Sequence, residues 1–256
     1  MPTRSITFTA LDGVPEIQPG DRLDRVVVDA LEHNELRLQA HDVIAICQKI
    51  VSKAEDCYVR LDTVQPSARA VELARLCEKD PRFVEVVLRE SSEVVRCVKD
   101  VLIVRHRLGF VVANAGIDQS NIEDAGERVL LLPQNPDASA ALLRDALQAR
   151  FDVPLALIVT DSFGRPWRMG VCGTAIGCAG LVSLADMRGR PDRFGRPLRI
   201  TQVAVADELA AAATLAMGEA DEGRPAVIVS GVAPEMFVDG IAATKLVRPV
   251  ELDLFR

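Results

Sequence analysis

"ALIVTDSFGRPWRMG", residues 156–170, is an apolar run that ends on Asp161. With Pro154 and Leu155 ahead of it, the run reads as a buried strand that ends on a carboxylate. A second stretch, "VVANAGIDQSN" at 111–121, repeats the pattern: apolar or small residues, then Asn114, Asp118, Ser120 and Asn121. An unpaired carboxylate at the buried end of a strand is costly, so each aspartate needs hydrogen bonds, a cationic partner or a metal ion. A capping or turn role satisfies either one alone. Two of them, flanked by Ser162 in one case and by Ser120 and Asn121 in the other, favour a hard-cation site. Mg²⁺ suits one or two carboxylates and completes its shell with phosphate oxygens and water. Glu219, just past Gly218, is a third candidate ligand, although by itself it is an ordinary solvated glutamate at a helix end.

Outward from these two strands the chain alternates strand and helix signals. Residues 5–10 read as a short strand, and the turn-rich "DGVPEIQPGD" precedes a helix begun at Asp21 or Arg22, with Leu23, Val26, Val27, Ala30 and Leu31 on its apolar face. "DVIAICQKIV" at 42–51 reads as one strand. Helices are expected from Pro66 to about Glu78 and again after Pro81, and "VLIVRH" and "GFVVAN" read as strands. In "QNPDASAALLRDALQARF", Asn135 is placed as an N-cap and Pro136 as the first helical residue. "LRITQVAVA" alternates as a strand should, "DELAAAATLAMG" reads as a helix stopping at Gly218, and "PAVIVS" is a last strand. Strands in series with intervening helices imply an α+β fold of mixed sheets and packed helices.

The composition narrows the function. The 256 residues are 49% hydrophobic, enough for a substantial core, and the formal charge is −7, with no basic footprint for nucleic acid. An acidic chain that handles anions must gather positive charge locally or use metal ions. The six cysteines form no CxxC pair and fall mostly in apolar segments, so they read as reduced core residues. No apolar run is long enough to span a membrane, and the N-terminus lacks a signal-peptide core, so a cytoplasmic protein is expected.

Neither nucleotide fingerprint is present: there is no GxxxxGK[ST], and "GTAIGCAG" spaces its glycines differently from GxGxxG. Gly170, Gly173, Gly177 and Gly180 more simply signal close packing. Lys53, Arg165, Arg168, Arg188, Arg190, Arg193 and Arg196 sit near the same motifs. Solvated surface charge explains any one of them, whereas arginines packed with Gly and Pro in an acidic chain also fit a polyanion such as a triphosphate. The isolated His33, His41 and His106 suggest neither a zinc site nor a Ser/His/Asp triad.

Seven ordered motifs then resemble one family: "QKIVSKAE" at 48–55, "NAGIDQSN" at 114–121, "LLPQNPDASA" at 131–140, "VTDSFGRPWRMG" at 159–170, "AIGCAGL" at 175–181, "GRPDRFGRPL" at 189–198 and "VADELAAAATLAMGEAD" at 205–221. Together they are similar to the coenzyme F420:L-glutamate ligases, also called F420-0:gamma-glutamyl ligases, in order from about residue 9 to residue 231. The resemblance implies a GTP-dependent amide ligase that adds L-glutamate to the deazaflavin precursor of coenzyme F420, uses Mg²⁺ or Mn²⁺ with room for K⁺, and works as an intertwined homodimer with its own fold. It also implies a single ligase unit over residues 1–256, with or without subdomains, and no fused C-terminal domain.

On the matching positions, the resemblance has Asp118 and Asp161 hold one divalent ion and Ser162 and Glu219 another. Val14, Pro15, Glu16, Ile17, Gln48, Lys49, Lys53 and Asn121 would contact GTP, and Met217, Gly218, Glu219, Ala220, Asp221, Glu222, Gly223 and Arg224 would close over it. Lys53 would set positive charge against the phosphates. Ser162 stands where Thr is usual, which keeps the hydroxyl, and Asp56 stands where Gly commonly follows the Ala-Glu pair. A metal-dependent GTP hydrolase or phosphotransferase on another acceptor, and a non-catalytic nucleotide-binding protein, are the competing readings.

Overall fold

The computed structural model describes residues 5–122, 124, 126–238 and 242–253. Along the chain run β1 (Thr7–Ala10), α1 (Leu23–His33), β2 (Asp42–Cys47), α2 (Gln48–Ala54), β3 (Tyr58–Arg60), α3 (Ala68–Cys77), α4 (Pro81–Arg89), β4 (Ser91–Val98) and β5 (Val101–His106). They are followed by β6 (Val111–Ala113), β7 (Arg128–Leu130), α5 (Pro136–Phe151), β8 (Leu155–Arg165), β9 (Arg168–Ala179), β10 (Ala185–Asp186), β11 (Gln202–Val203), α6 (Val205–Met217) and β12 (Ala226–Ser230). The expected α+β class with mixed sheets and packed helices is what the chain forms.

A five-stranded sheet in the order β1-β12-β2-β8-β9 organises the molecule. Only β2 and β8 run parallel; the other pairs are antiparallel. The apolar run of β8 is continuous because both of its faces are covered. Leu155, Leu157 and Val159 enter a core shared with α1 and α5, while Ala156 and Ile158 enter a second core against α6. The register of β8 on β9 slips between Val159 and Thr160, a bulge that re-aims the strand where it reaches its polar end.

Small residues set the layer spacing. A Cβ on Gly173 would lie 2.5 Å from the Ala210 carbonyl oxygen, and one on Gly177 would lie 2.3 Å from that of Pro136. The expected close packing therefore holds for Gly173 and Gly177, which lie within β9, a strand without the alternation that marks one in sequence. A third core joins α3 and α4 to the antiparallel sheet β4-β5-β6 and to the β3-β7 pair.

Local chemistry accounts for the helix ends. Asn135 Oδ1 accepts from the Ala138 amide at 3.1 Å, Pro136 opens α5, and Asp152 closes it in the left-handed region. Gly218, at φ +82°, ends α6 as expected. Three expectations are corrected. "DVIAICQKIV" is a strand only to Cys47, and Gln48 begins helix α2. "LRITQVAVA" contributes just the two-residue strand β11 before α6 starts at Val205. Pro66 precedes its helix, and Ser67 caps it by accepting from the Ala70 amide at 3.2 Å.

Candidate active site

Five separate segments meet in a cleft of about 710 Å³ at the ends of β2 and β8. The first turns of α2 contribute Gln48, Lys49 and Lys53. The loop after β6 brings Asp118, Ser120 and Asn121; β8 brings Thr160, Asp161 and Ser162; and the chain after α6 brings Gly218 through Arg224. The loop with Val14, Pro15, Glu16 and Ile17 closes the remaining side. All the cleft residues named from the sequence lie on this one wall system, although they are spread along the chain from residue 14 to residue 224.

Asp118 is held from α2. Gln48 Nε2 donates to Asp118 Oδ2 at 2.6 Å, and the Gln48 carbonyl oxygen accepts from Ser52 Oγ at 2.8 Å, which fixes the amide's orientation. Lys49 Nζ stands 3.4 Å from Asp118 Oδ1 and donates to the Ser120 carbonyl at 3.2 Å. Burial still pushes the Asp118 carboxyl above its ordinary range, against the pull of Lys49 and Gln48. Burial first, and the negative charge of Asp118 second, push Asp161 up to about 7, against the Ser162 amide, which donates to it at 2.8 Å. A carboxyl raised by burial and by a neighbouring carboxylate is short of positive charge.

Ser162 Oγ donates to Glu219 Oε1 at 2.6 Å, linking β8 to the chain beyond α6. That loop is braced by Glu222, which accepts from the Ala220 amide at 2.8 Å, and by Asn121, which donates to the Ala220 carbonyl at 3.1 Å. Arg224 Nε donates to Asp12 at 2.7 Å, two residues before the loop that begins at Val14. Lys53, buried, ion-pairs with Glu16, so its charge is partly spent on the loop that closes the cleft.

The donor set is all oxygen: Asp118, Asp161, Glu219 and the Ser162 hydroxyl. Such a set fits a hard divalent cation and not a soft one. Among the described residues, no three His, Cys, Asp or Glu side chains are gathered to hold an ion by themselves. A cation here would need phosphate oxygens or water as well, which is how Mg²⁺ is commonly held. Cys47 on the cleft wall is pushed up to about 11 by burial, which leaves a neutral thiol and no ready nucleophile.

The arginines divide differently from the expectation. Arg165, Arg168, Arg188, Arg190, Arg193 and Arg196 do not line the cleft, and Arg188 is paired with Asp186. One residue that the sequence reading passed over does line it: Thr160 is buried and its hydroxyl has no hydrogen-bond partner among the described residues. Its signal was its place between the apolar run and Asp161.

Residues 13–231 match the profile of a family described as F420-0:Gamma-glutamyl ligase. The chain is 43% identical over 251 residues to the coenzyme F420:L-glutamate ligase of Methanothermobacter thermautotrophicus, covering 98% of this chain and 99% of that protein. It is 45% identical over 243 residues to the enzyme of that name from Methanopyrus kandleri, covering 94% of each. A third, from Haloarcula marismortui, is 40% identical over 253 residues, covering 96% of this chain and 94% of the relative. With the family profile matched over most of its length, this chain belongs to the F420-0:gamma-glutamyl ligase family.

Proposed function

We propose that the protein is a GTP-dependent ligase that joins L-glutamate to the deazaflavin precursor of coenzyme F420. The observation that carries this reading is the meeting of Asp118 and Asp161, both raised by burial, beside the Ser162–Glu219 pair in one cleft. Membership in a family whose curated relatives bear the ligase name supports the choice of substrates.

A carboxylate is a poor electrophile in water, so an amide forms from it only after activation. In the proposed sequence, a carboxylate oxygen of the precursor attacks the γ-phosphorus of GTP, the bond from that phosphorus to the bridging oxygen breaks, and GDP leaves. The resulting acyl phosphate is attacked by the glutamate amine, which expels inorganic phosphate and gives up a proton to solvent. Mg²⁺ or Mn²⁺ would be held by Asp118 and Asp161, with Ser162 and Glu219 able to hold a second ion, and would supply charge neutralisation at the phosphates. K⁺ would be an accompanying ion. Lys49 and Lys53 place two further positive charges on the α2 side of the cleft. Asn121 and the braced loop through Ala220 and Glu222 would shape the nucleotide pocket and exclude water.

We also propose a homodimer. Met169 on the β8–β9 hairpin is 97% exposed and Leu215 on α6 is 87% exposed, with Phe194 and Ile200 similarly bare. Apolar side chains exposed to this degree favour a partner surface. The six unpaired cysteines support a reducing, cytoplasmic setting. No described helix is long and apolar enough to cross a membrane.

Mass spectrometry of the deazaflavin precursor after incubation with GTP, glutamate and Mg²⁺ or Mn²⁺ tests the activity. Added glutamyl residues are expected only when every component is present. GTP hydrolysis that needs neither glutamate nor precursor would identify a hydrolase instead.

A further inference from the structure

A second cavity, of about 490 Å³, lies between the β4-β5-β6 sheet and the β8–β9 hairpin. Ile103, Phe110, Val111 and Val247 form apolar walls, and Pro166 and Trp167 stand on the hairpin side. We infer that this cavity seats the planar aromatic ring of the acceptor, an anionic heterocycle whose carboxylate end reaches the first cleft; this rests on the ligase reading above.

Three observations point that way. The first is position. Thr174, in the cavity wall, is the register partner of Asp161, which lines the first cleft. Directly opposed residues on antiparallel strands have Cβ atoms roughly 5 Å apart on one face, so the two spaces adjoin along this strand pair. A ligand with its ring in the cavity can therefore extend its tail to the carboxylates without crossing the core.

The second is charge. Arg96, Arg105 and Arg248 line the cavity, against Asp207 and Asp253, in a chain whose formal net charge is −7. Asp207 is already engaged, accepting from the Ala175 amide at 2.9 Å. Arg105 is held loosely: its guanidinium lies 3.5 Å from Glu93, 3.8 Å from Asp253 and 3.4 Å from the Gly109 carbonyl. Its buried Nε reaches Glu93 at ion-pair distance and closes no hydrogen bond among the described residues. Arg165, next in the chain to Pro166, has a buried Nη1 that likewise closes no hydrogen bond among the described residues. Buried guanidinium donors without a well-formed hydrogen bond favour an anionic ligand.

The third is shape. The space is concave, apolar in its walls and within the size range of small-molecule sites. Phe110 is backed by Phe163 at 5.7 Å between ring centroids, which keeps its face rigid toward a flat ligand. The bare Met169, Phe194, Ile200 and Leu215, which suit a flat protein partner, do not line this cavity.

The test is equilibrium binding of the deazaflavin precursor to the full chain, followed by the precursor's own fluorescence anisotropy without GTP. Val95→Trp fills the cavity from an exposed position of β4, and Arg96→Glu reverses a charge on its exposed wall. Arg105→Lys removes the fork but keeps the charge. Each variant is expected to bind the precursor about ten-fold more weakly or worse, with GTP affinity, melting temperature and elution volume unchanged. Wild-type affinity in Val95→Trp and Arg96→Glu, or no binding by the wild type, overturns the assignment. Loss of a dimer with precursor binding intact would give the cavity to a second copy of the chain and equally overturn it. A wild type that binds the precursor yet yields no glutamylated product by mass spectrometry would defeat the ligase reading while leaving the cavity assignment standing.

Discussion

Ser162 Oγ and Glu219 Oε1 are 2.6 Å apart, a hydrogen bond that ties the end of β8 to the chain leaving α6 across 57 residues. The bond aligns two oxygen donors beside Asp161 and fixes where the loop over the cleft begins. Ser162→Thr should keep this hydroxyl and near-normal turnover. Ser162→Ala and Glu219→Gln should each slow turnover by roughly ten-fold to a hundred-fold, equivalent to about 1.4–2.7 kcal/mol, and raise the metal concentration giving half-maximal rate. Steady-state rates across a Mg²⁺ titration decide it; a Ser162→Ala enzyme with an unaltered metal response would assign the pair to loop packing alone.

Asp118→Asn and Asp161→Asn remove charge from the two carboxylates that burial raises. Each should lower the rate by at least ~10²-fold, about 3 kcal/mol in the barrier, and weaken Mn²⁺ binding measured by calorimetry in the presence of GDP. Their melting temperatures should not fall, because each substitution relieves a buried charge. Wild-type-like turnover in both variants would remove the carboxylates from the chemistry.

Gly173→Ala and Gly177→Ala test the packing that fixes β9. A methyl group at either position would meet backbone atoms, the Ala210 carbonyl oxygen at 2.5 Å or the Pro136 carbonyl oxygen at 2.3 Å. Each should destabilise the fold by roughly 1–3 kcal/mol in urea denaturation. Gly164→Ala, which has open space around it, is the control and should lie within about 0.5 kcal/mol of the wild type.

Glu90 supplies an acid-side dependence away from the cleft. His106 first, then Arg107, hold its carboxyl below the usual glutamate range. Because the folded-state value is depressed, the ionised form stabilises the fold at neutral pH. That contribution is lost as the pH falls below the ordinary glutamate range and through the depressed value. Glu90→Gln should therefore be less stable than wild type at pH 7, and the gap should close toward pH 3, read from urea midpoints at each pH. A gap that stays constant with pH would mean that the charge is not what matters there.

Much of the scaffold was readable because it rests on local chemistry. Asn135 and Pro136 mark the start of α5 and Gly218 the end of α6 through side-chain and backbone preferences that need no partner. Misreadings fall where the local signal is ambiguous. Ile50 and Val51 continue the apolar run of β2, so nothing in the hydropathy marks the turn into α2 at Gln48. Strand β9 escaped notice because Gly170, Gly173 and Gly177 erase the two-residue alternation that identifies strands. In the site, Asp118 and Asp161 stood out because carboxylates interrupt apolar runs. Thr160 did not, because threonine is ordinary in a strand and only burial without a partner distinguishes it. The Lys53–Glu16 pair joins residues 37 positions apart, a relationship that composition and spacing do not contain.

The central claim, that the cleft activates a carboxylate with GTP for amide formation, is tested most directly by isotope transfer. The precursor is prepared with heavy oxygen in its carboxylate and incubated with GTP, glutamate, Mg²⁺ and the enzyme, and the released phosphate is examined by mass spectrometry. The account predicts one heavy oxygen carried from the carboxylate into each phosphate released, with an equal amount of glutamylated product. Phosphate that carries only oxygen from GTP and water, released at the same rate without precursor, would contradict it.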